Sequence, residues 1–180
     1  LASLDERLAR AARSRLSGPR RARAVAGFSS IGEHGAVWLA IGALGWQIDA
    51  RRRRRWRAAT GAVVCAYGLN TAIKLIVRRR RPRMDGLPAL TGTPTQLSFP
   101  SAHAATSFAG ALAYSRLGLP RVPLYALALA LSASRVYLGV HYPSDALAGA
   151  LLGTAVAGAR EPVAGLVRPG MQADRQAGAL

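Results

Sequence analysis

The sequence predicts an all-α bundle embedded in a membrane, with about five spanning helices preceded by an amphipathic helix at the interface. Three observations carry this. The 180 residues hold 25 Lys+Arg against 8 Asp+Glu, a formal charge of +17, yet 51% are hydrophobic and the mean hydropathy is +0.15. Disordered basic tails are depleted in apolar residues, so charge and apolarity must be segregated along this chain, as they are in membrane proteins. Runs of arginine do separate apolar stretches of spanning length. The length, finally, accommodates one domain and leaves no room for a second fold.

Residues 1–24 set Leu1, Leu4, Leu8, Ala11, Ala12 and Leu16 at helical spacing among Arg7, Arg10, Arg13 and Arg15, the pattern of a segment lying on a membrane surface. Phe28–Ile48 is the first span, interrupted by Glu33 and His34, and the arginines of Arg51–Arg57 close it because such a run cannot lie in hydrocarbon. Ala58–Val77 is the second span, stopped by Arg78–Arg83. Pro82, Gly86, Pro88, Gly92 and Pro94 make a loop that is too polar and too rich in helix breakers to insert. Ser101–Gly118, Leu124–Val140 and Asp145–Ala159 complete the set, the last carrying Gly149-x-x-x-Gly153 for close helix approach in lipid. The expected organisation is an interfacial segment over 1–24, a membrane-embedded domain over 28–159 and a polar tail over 160–180. Trp38, Tyr137 and Tyr142 are expected as anchors at the membrane interface. The lone Cys65 excludes an intramolecular disulfide and a cysteine-based metal site.

The ionisable residues at span ends are few: Lys74, Arg81, His103, Arg135, His141 and Asp145. Each is costly near hydrocarbon and is a functional candidate for that reason. With the spans alternating in direction, all of them fall on one membrane face. Three cations converging there can clamp a tetrahedral oxyanion, with arginine offering a fork and Lys74, the only lysine, a point charge. Pro100-Ser101 marks a helix start, where the free N–H groups of Ala102 and His103 point at an anion. Asp145 lies four residues after His141 and can orient its imidazole. One histidine thus has an acid partner and the other does not, which fits a nucleophile and a general acid for phosphoryl transfer.

Lys74-x6-Arg81-Pro82, then Pro100-Ser101-Ala102-His103, then Ser134-Arg135-x5-His141-x3-Asp145 resemble the three-part signature of the type 2 phosphatidic acid phosphatase (PAP2) superfamily. The resemblance covers roughly residues 58–158. It implies that His141 is the nucleophile forming a phosphohistidine, that Asp145 fixes its tautomer, and that His103 protonates the leaving alkoxide. Lys74, Arg81, Ser101, Ala102 and Arg135 would hold the phosphoryl oxygens, with no cofactor and no metal. Ala102 stands where the family usually has glycine, and membrane members commonly have six spans.

The implied activity is a multi-pass bacterial membrane phosphatase acting on a lipid phosphate, with membrane lipids but no nucleic acid as partners. A nucleic-acid-binding protein using the arginine runs would leave the apolar spans unexplained. A vanadate-dependent haloperoxidase would share the oxyanion clamp, but the short membrane-embedded chain argues against it. Size and composition also resemble actinobacterial members acting on polyprenyl carriers, including decaprenylphosphoryl-phosphoribose phosphatases. Glu33 and His34 are candidate head-group contacts, weighed against a plain boundary position for both.

Overall fold

The computed structural model describes residues 2–14, 18–84 and 86–159; the expected tail over 160–180 lies outside the described residues. Among these the chain forms seven α-helices and no strand: α1 (Ala2–Ser14), α2 (Pro19–Ser30), α3 (Ala36–Ile48), α4 (Arg53–Val77), α5 (Ala102–Ser115), α6 (Arg121–Tyr137) and α7 (Pro143–Ala159). The exterior of the bundle is apolar. Leu44 and Ile48 on α3, Val64, Leu75 and Ile76 on α4, Leu129 on α6 and Leu147 and Leu151 on α7 all stand exposed. A soluble fold would bury so many.

One helical stretch, Ala50–Val77, is long and apolar enough by itself to cross a membrane among the described residues. The expected start of this span at Ala58 is displaced into the arginine run. Asp49 caps a short 3-10 turn, Ala50–Arg52, its carboxylate accepting from the backbone N–H of Arg52 (3.2 Å), from Arg52 Nε (2.6 Å) and from Trp56 Nε1 (3.1 Å). The following arginines therefore form the first turn of α4, whose 25 residues rise about 37 Å, past the ~30 Å hydrocarbon thickness.

The expected first span is also two helices. His34 (φ 53°) and Gly35 (φ 75°) are both left-handed, so α2 ends and α3 starts anew. Gly35 is needed there for space as well as for φ: a Cβ would lie 3.2 Å from Thr106 Cβ on α5.

Helix α5 is the axis of the bundle, buried along nearly its whole length because its residues are mostly small. Gly149 and Gly153 let α7 lie against it; a Cβ on Gly149 would stand 3.0 Å from Ala104 Cβ and 3.2 Å from Ala105 N, and would collide with the Ser101 carbonyl. Gly110 makes room for Trp38, which is fully buried, its indole N–H donating to Ser107 Oγ at 2.9 Å. Trp38 is thus a core residue, not the interfacial anchor expected, and Tyr137 is buried too. Helix α1 presents opposite faces: Asp5, Ala9 and Arg13 are buried against the bundle, whereas Leu4 and Leu8 face outward.

Candidate active site

The ends of α4, α5 and α6, the turn before α3 and the loop before α7 meet around a cavity of about 170 Å³. Its wall includes Lys74, Arg81, Ala102, His103, Arg135 and His141, together with Glu33 and His34. The residues expected from three separate motifs are therefore brought together. Ser101 and Asp145 are not on the wall; both are fully buried behind it. The Ser101 side chain caps α5, accepting from the Ala104 N–H, and its own N–H donates to the Asp145 carbonyl at 2.9 Å, tying α5 to α7.

His141 lies between α6 and α7 and is 3% exposed. Its Nδ1 is 3.5 Å from Asp145 Oδ2, and its Nε2 is 3.3 Å from Arg81 Nη1. Asp145 Oδ2 also accepts the Tyr142 N–H at 2.9 Å. Burial pushes the imidazole pKa down to about 4; Arg81 and Lys74 add to the shift, and Asp145 opposes it. The ring is neutral at physiological pH. A proton on Nδ1 facing the carboxylate leaves the Nε2 lone pair toward the cavity.

Arg81 reaches the site through a short backbone ladder. Arg81 N–H donates to the Gln96 carbonyl (3.1 Å) and Ser98 N–H to the Arg79 carbonyl (2.8 Å), with Arg80 opposite Leu97. Side chains alternate along such a ladder. Arg81 donates to the Val140 carbonyl (2.7 Å) and the Thr95 carbonyl (2.8 Å); burial, then Arg135, lowers its pKa to about 10, which leaves it charged. Arg78, Arg80 and Arg83 line a wider adjoining basin of about 940 Å³, with Arg81 shared between the two cavities. Lys74 Nζ donates to the carbonyls of Pro100 (3.0 Å), Ser98 (3.3 Å) and Leu97 (3.4 Å), so it staples the loop end as well as charging the cavity.

His103, in the first turn of α5, has Nε2 3.1 Å from the Ser29 carbonyl. Since a carbonyl only accepts, Nε2 carries hydrogen and Nδ1 is the other ring atom available for proton transfer. Ser29 Oγ meanwhile accepts from Arg135 Nη1 at 2.9 Å and from Ser134 Oγ at 3.0 Å. A single residue of α2 thus holds both His103 and Arg135, and nothing in the motifs pointed to it.

Arg79 was also missed, being one of four consecutive arginines. Its Nη1 donates to Asp145 Oδ1 (2.9 Å) and Ser144 Oγ (2.7 Å), its Nη2 to Asp5 Oδ2 (2.9 Å), and its guanidinium lies over the Tyr142 ring at 4.0 Å. Burial alone would lower the Arg79 pKa, but the two carboxylates outweigh it and raise it. Asp5 further accepts the Ser144 N–H at 3.0 Å and the Ser144 hydroxyl, so α1 caps the start of α7. Arg13 of α1 donates to the carbonyls of Leu87 and Pro88.

Among the described residues, Asn70 Nδ2 and Oδ1 and Arg135 Nε are buried side-chain polar atoms without a hydrogen-bond partner, and His141 Nδ1 has only the Asp145 carboxylate, at 3.5 Å. All belong to residues lining this one cavity. Unpaired buried polar groups cost about 1–3 kcal/mol each, and their gathering at one place marks a site built to receive a polar ligand.

Comparison with known proteins agrees with this architecture. The chain is 42% identical over 140 residues to a decaprenylphosphoryl-5-phosphoribose phosphatase of Mycobacterium tuberculosis, covering 77% of this chain and 78% of that one. It is 40% identical over 122 residues to the protein of that name in Mycolicibacterium smegmatis, covering 67% of each. An undecaprenyl-diphosphatase of Sulfolobus acidocaldarius is 33% identical over 122 residues, 66% of this chain and 59% of that one. The fold superposes on Aquifex aeolicus LpxE with a TM-score of 0.73 at 23% identity, covering 86% of this chain and 92% of that one. It superposes on a transmembrane PAP2-type phosphatidylglycerolphosphate phosphatase of Bacillus subtilis with a TM-score of 0.70 at 23% identity, covering 93% and 88% respectively. With residues 55–161 matching the family description as well, the chain belongs to the PAP2 superfamily and has the fold of its membrane phosphatases.

Proposed function

We propose that this protein is a multi-pass phosphatase of the bacterial cell membrane that removes the terminal phosphate of a polyprenyl phosphosugar through a phosphohistidine. The observation that carries the reading is the cavity itself: a neutral buried imidazole, three cations and a second histidine converge beneath a basic basin at the ends of apolar helices. The lipid class is supported by the relatives' names, which specify polyprenyl phosphates, two of them with a phosphoribose head.

In this reading the terminal phosphate replaces Arg81 in front of His141 Nε2. The Nε2 lone pair forms a bond to phosphorus as the bond to the ester oxygen breaks, and His103 gives its proton to that oxygen. Water then attacks the phosphohistidine, losing its proton to His103, and inorganic phosphate departs with His141 restored. Lys74, Arg81, Arg135 and the Ala102 and His103 N–H groups take up charge on the equatorial oxygens. Ser101 acts by capping α5, and Asp145 by holding the imidazole. The cations do the work a divalent ion would do, so turnover is expected to be independent of metal. Five membrane crossings follow if α2 and α3 together count as the first, and residues 28–159 form the working domain.

The test is phosphate release by detergent-purified protein from a polyprenyl phosphosugar, a polyprenyl diphosphate and phosphatidic acid, with and without EDTA. The sugar lipid should be preferred and EDTA without effect. His141→Ala should remove activity by orders of magnitude; near-native turnover in that variant refutes the mechanism.

A further inference from the structure

Asn70 is the only asparagine in the chain, and it sits in the middle of an otherwise apolar run of α4. It is fully buried, lines the cavity shared with His103 and His141, and neither its amide nitrogen nor its amide oxygen has a protein partner. Leaving both ends of a buried amide unpaired is costly, and an alanine or leucine at this position would suit the helix better. The side chain is therefore matched to something that enters the cavity.

The chemistry of the amide narrows what that is. Nδ2 donates and Oδ1 only accepts. A phosphate dianion has no hydrogen to offer Oδ1, and an isoprenyl chain can satisfy neither atom. A pair of neighbouring hydroxyls satisfies both, one accepting from Nδ2 while the other donates to Oδ1. Before substrate arrives water can serve the amide, and a sugar hydroxyl presents the same donor and acceptor.

Position agrees with chemistry. Asn70 precedes Lys74 by four residues and so lies on the same face of α4, about 5–6 Å away between Cβ atoms. That separation sets the amide roughly one sugar ring from the cations that receive the phosphate. Across the opening, His34 is held in the left-handed conformation with its ring 5.8 Å from that of Tyr67, and Tyr67 precedes Asn70 by three residues on α4. Strained backbone of this kind is kept where surrounding structure has a use for the side chain. Glu33 adds a second acceptor to the same wall.

We infer that Asn70 is a specificity-determining residue that hydrogen-bonds vicinal hydroxyls of the sugar joined to the scissile phosphate. The inference rests on the polyprenyl phosphosugar reading and adds a residue and a hydroxyl pattern to it. A site built to bond hydroxyls rejects analogues that lack them, because its own polar groups are then left unpaired.

The experiment compares kcat/KM for four synthetic lipids of one isoprenoid length: a phosphorylated pentosyl phosphate, its 2-deoxy and 3-deoxy analogues, and a sugarless isoprenyl monophosphate. The native protein should lose about 10- to 100-fold on deoxygenation. Asn70→Leu should lose a similar factor on the full sugar lipid, change little on the sugarless one, and no longer discriminate the deoxy analogues. Glu33→Gln and His34→Ala, farther out on the wall, should show a weaker form of the same selectivity. If native protein cleaves the sugar lipid but ignores deoxygenation, the Asn70 assignment is wrong and the substrate reading stands. An equal loss for Asn70→Leu on every lipid also overturns the assignment. If native protein cleaves only the sugarless lipid, the substrate reading fails and takes the assignment with it. If Asn70→Leu does not fold, Asn70→Ala is read the same way, and complete loss of deoxy discrimination in Asn70→Ala but not in Glu33→Gln or His34→Ala supports the assignment, whereas retained discrimination overturns it.

Discussion

Gly149 is where packing and catalysis are most tightly joined. It lies one helical turn after Asp145, and its Cα rests on the first turn of α5, which carries Ser101, Ala102 and His103. Adding one methyl, Gly149→Ala, would place a Cβ 3.0 Å from Ala104 Cβ and 3.2 Å from Ala105 N, with the Ser101 carbonyl closer still. These neighbours include backbone and cannot rotate away, so α7 must retreat from α5 by about 1 Å, at the ~1–3 kcal/mol typical of overpacking. That is too little to unfold the protein. It does move the His141–Asp145 pair away from His103, and a misplacement of about 1 Å can cost ~100-fold in rate. The expected result is kcat down by about two orders of magnitude with a Tm lowered by only a few degrees in detergent. Gly153→Ala collides with the Ala105 carbonyl farther from the site and should lower Tm similarly while sparing more of kcat. Gly158, with open space around it, is the control. The reasoning is refuted if Gly149→Ala keeps native kcat, or if Gly158→Ala loses as much.

Other consequences follow from the same geometry. Because burial holds His141 near pKa 4, it should stay neutral as pH falls from 7 to 5 and take up its proton only near 4; NMR of labelled histidine on substrate-free protein checks this, and titration near 6.5 would contradict it. Removing the opposing charge with Arg81→Met should raise that value. Arg79→Met breaks two ion pairs to buried carboxylates and should lower kcat about 10- to 100-fold with KM little changed. Arg79→Lys should restore little, since a point charge cannot bridge Asp5 and Asp145 as a fork does. His103→Ala should lose most turnover on lipids with poor alkoxide leaving groups and retain more on an activated aryl phosphate; equal losses on both would remove the leaving-group role.

The three motifs were legible because each sits at or just beyond a helix end, where alternating spans gather them on one face. Lys74, Arg81, His103, Arg135 and His141 needed no tertiary information to be grouped, and the helical bundle was readable from apolar length. What could not be read was of another kind. Arg79 is masked by identical neighbours, and only the alternation of the ladder formed with residues 96–98 separates it from Arg80. Asp5 and Ser29 act across the bundle, 139 and 74 residues from Ser144 and His103, the partners they hold. The break at His34 depended on Gly35 passing close to α5, and the burial of Trp38 on the absent side chain of Gly110. Asn70 did leave a trace, a lone amide in an apolar span, but its meaning required knowing that nothing in the protein pairs with it.

Ser29 deserves a last consequence. It lies ahead of residue 55, where the family match begins, as do Asp5, Glu33 and His34. The residues within that match supply the histidines and cations of the cavity, and the residues before it supply the braces and part of its wall. Exchanging residues 1–35 between relatives would alter which head group is admitted while the phosphorus chemistry remains untouched, so long as a serine still presents its carbonyl to His103 and its hydroxyl to Arg135 and an aspartate still meets Arg79.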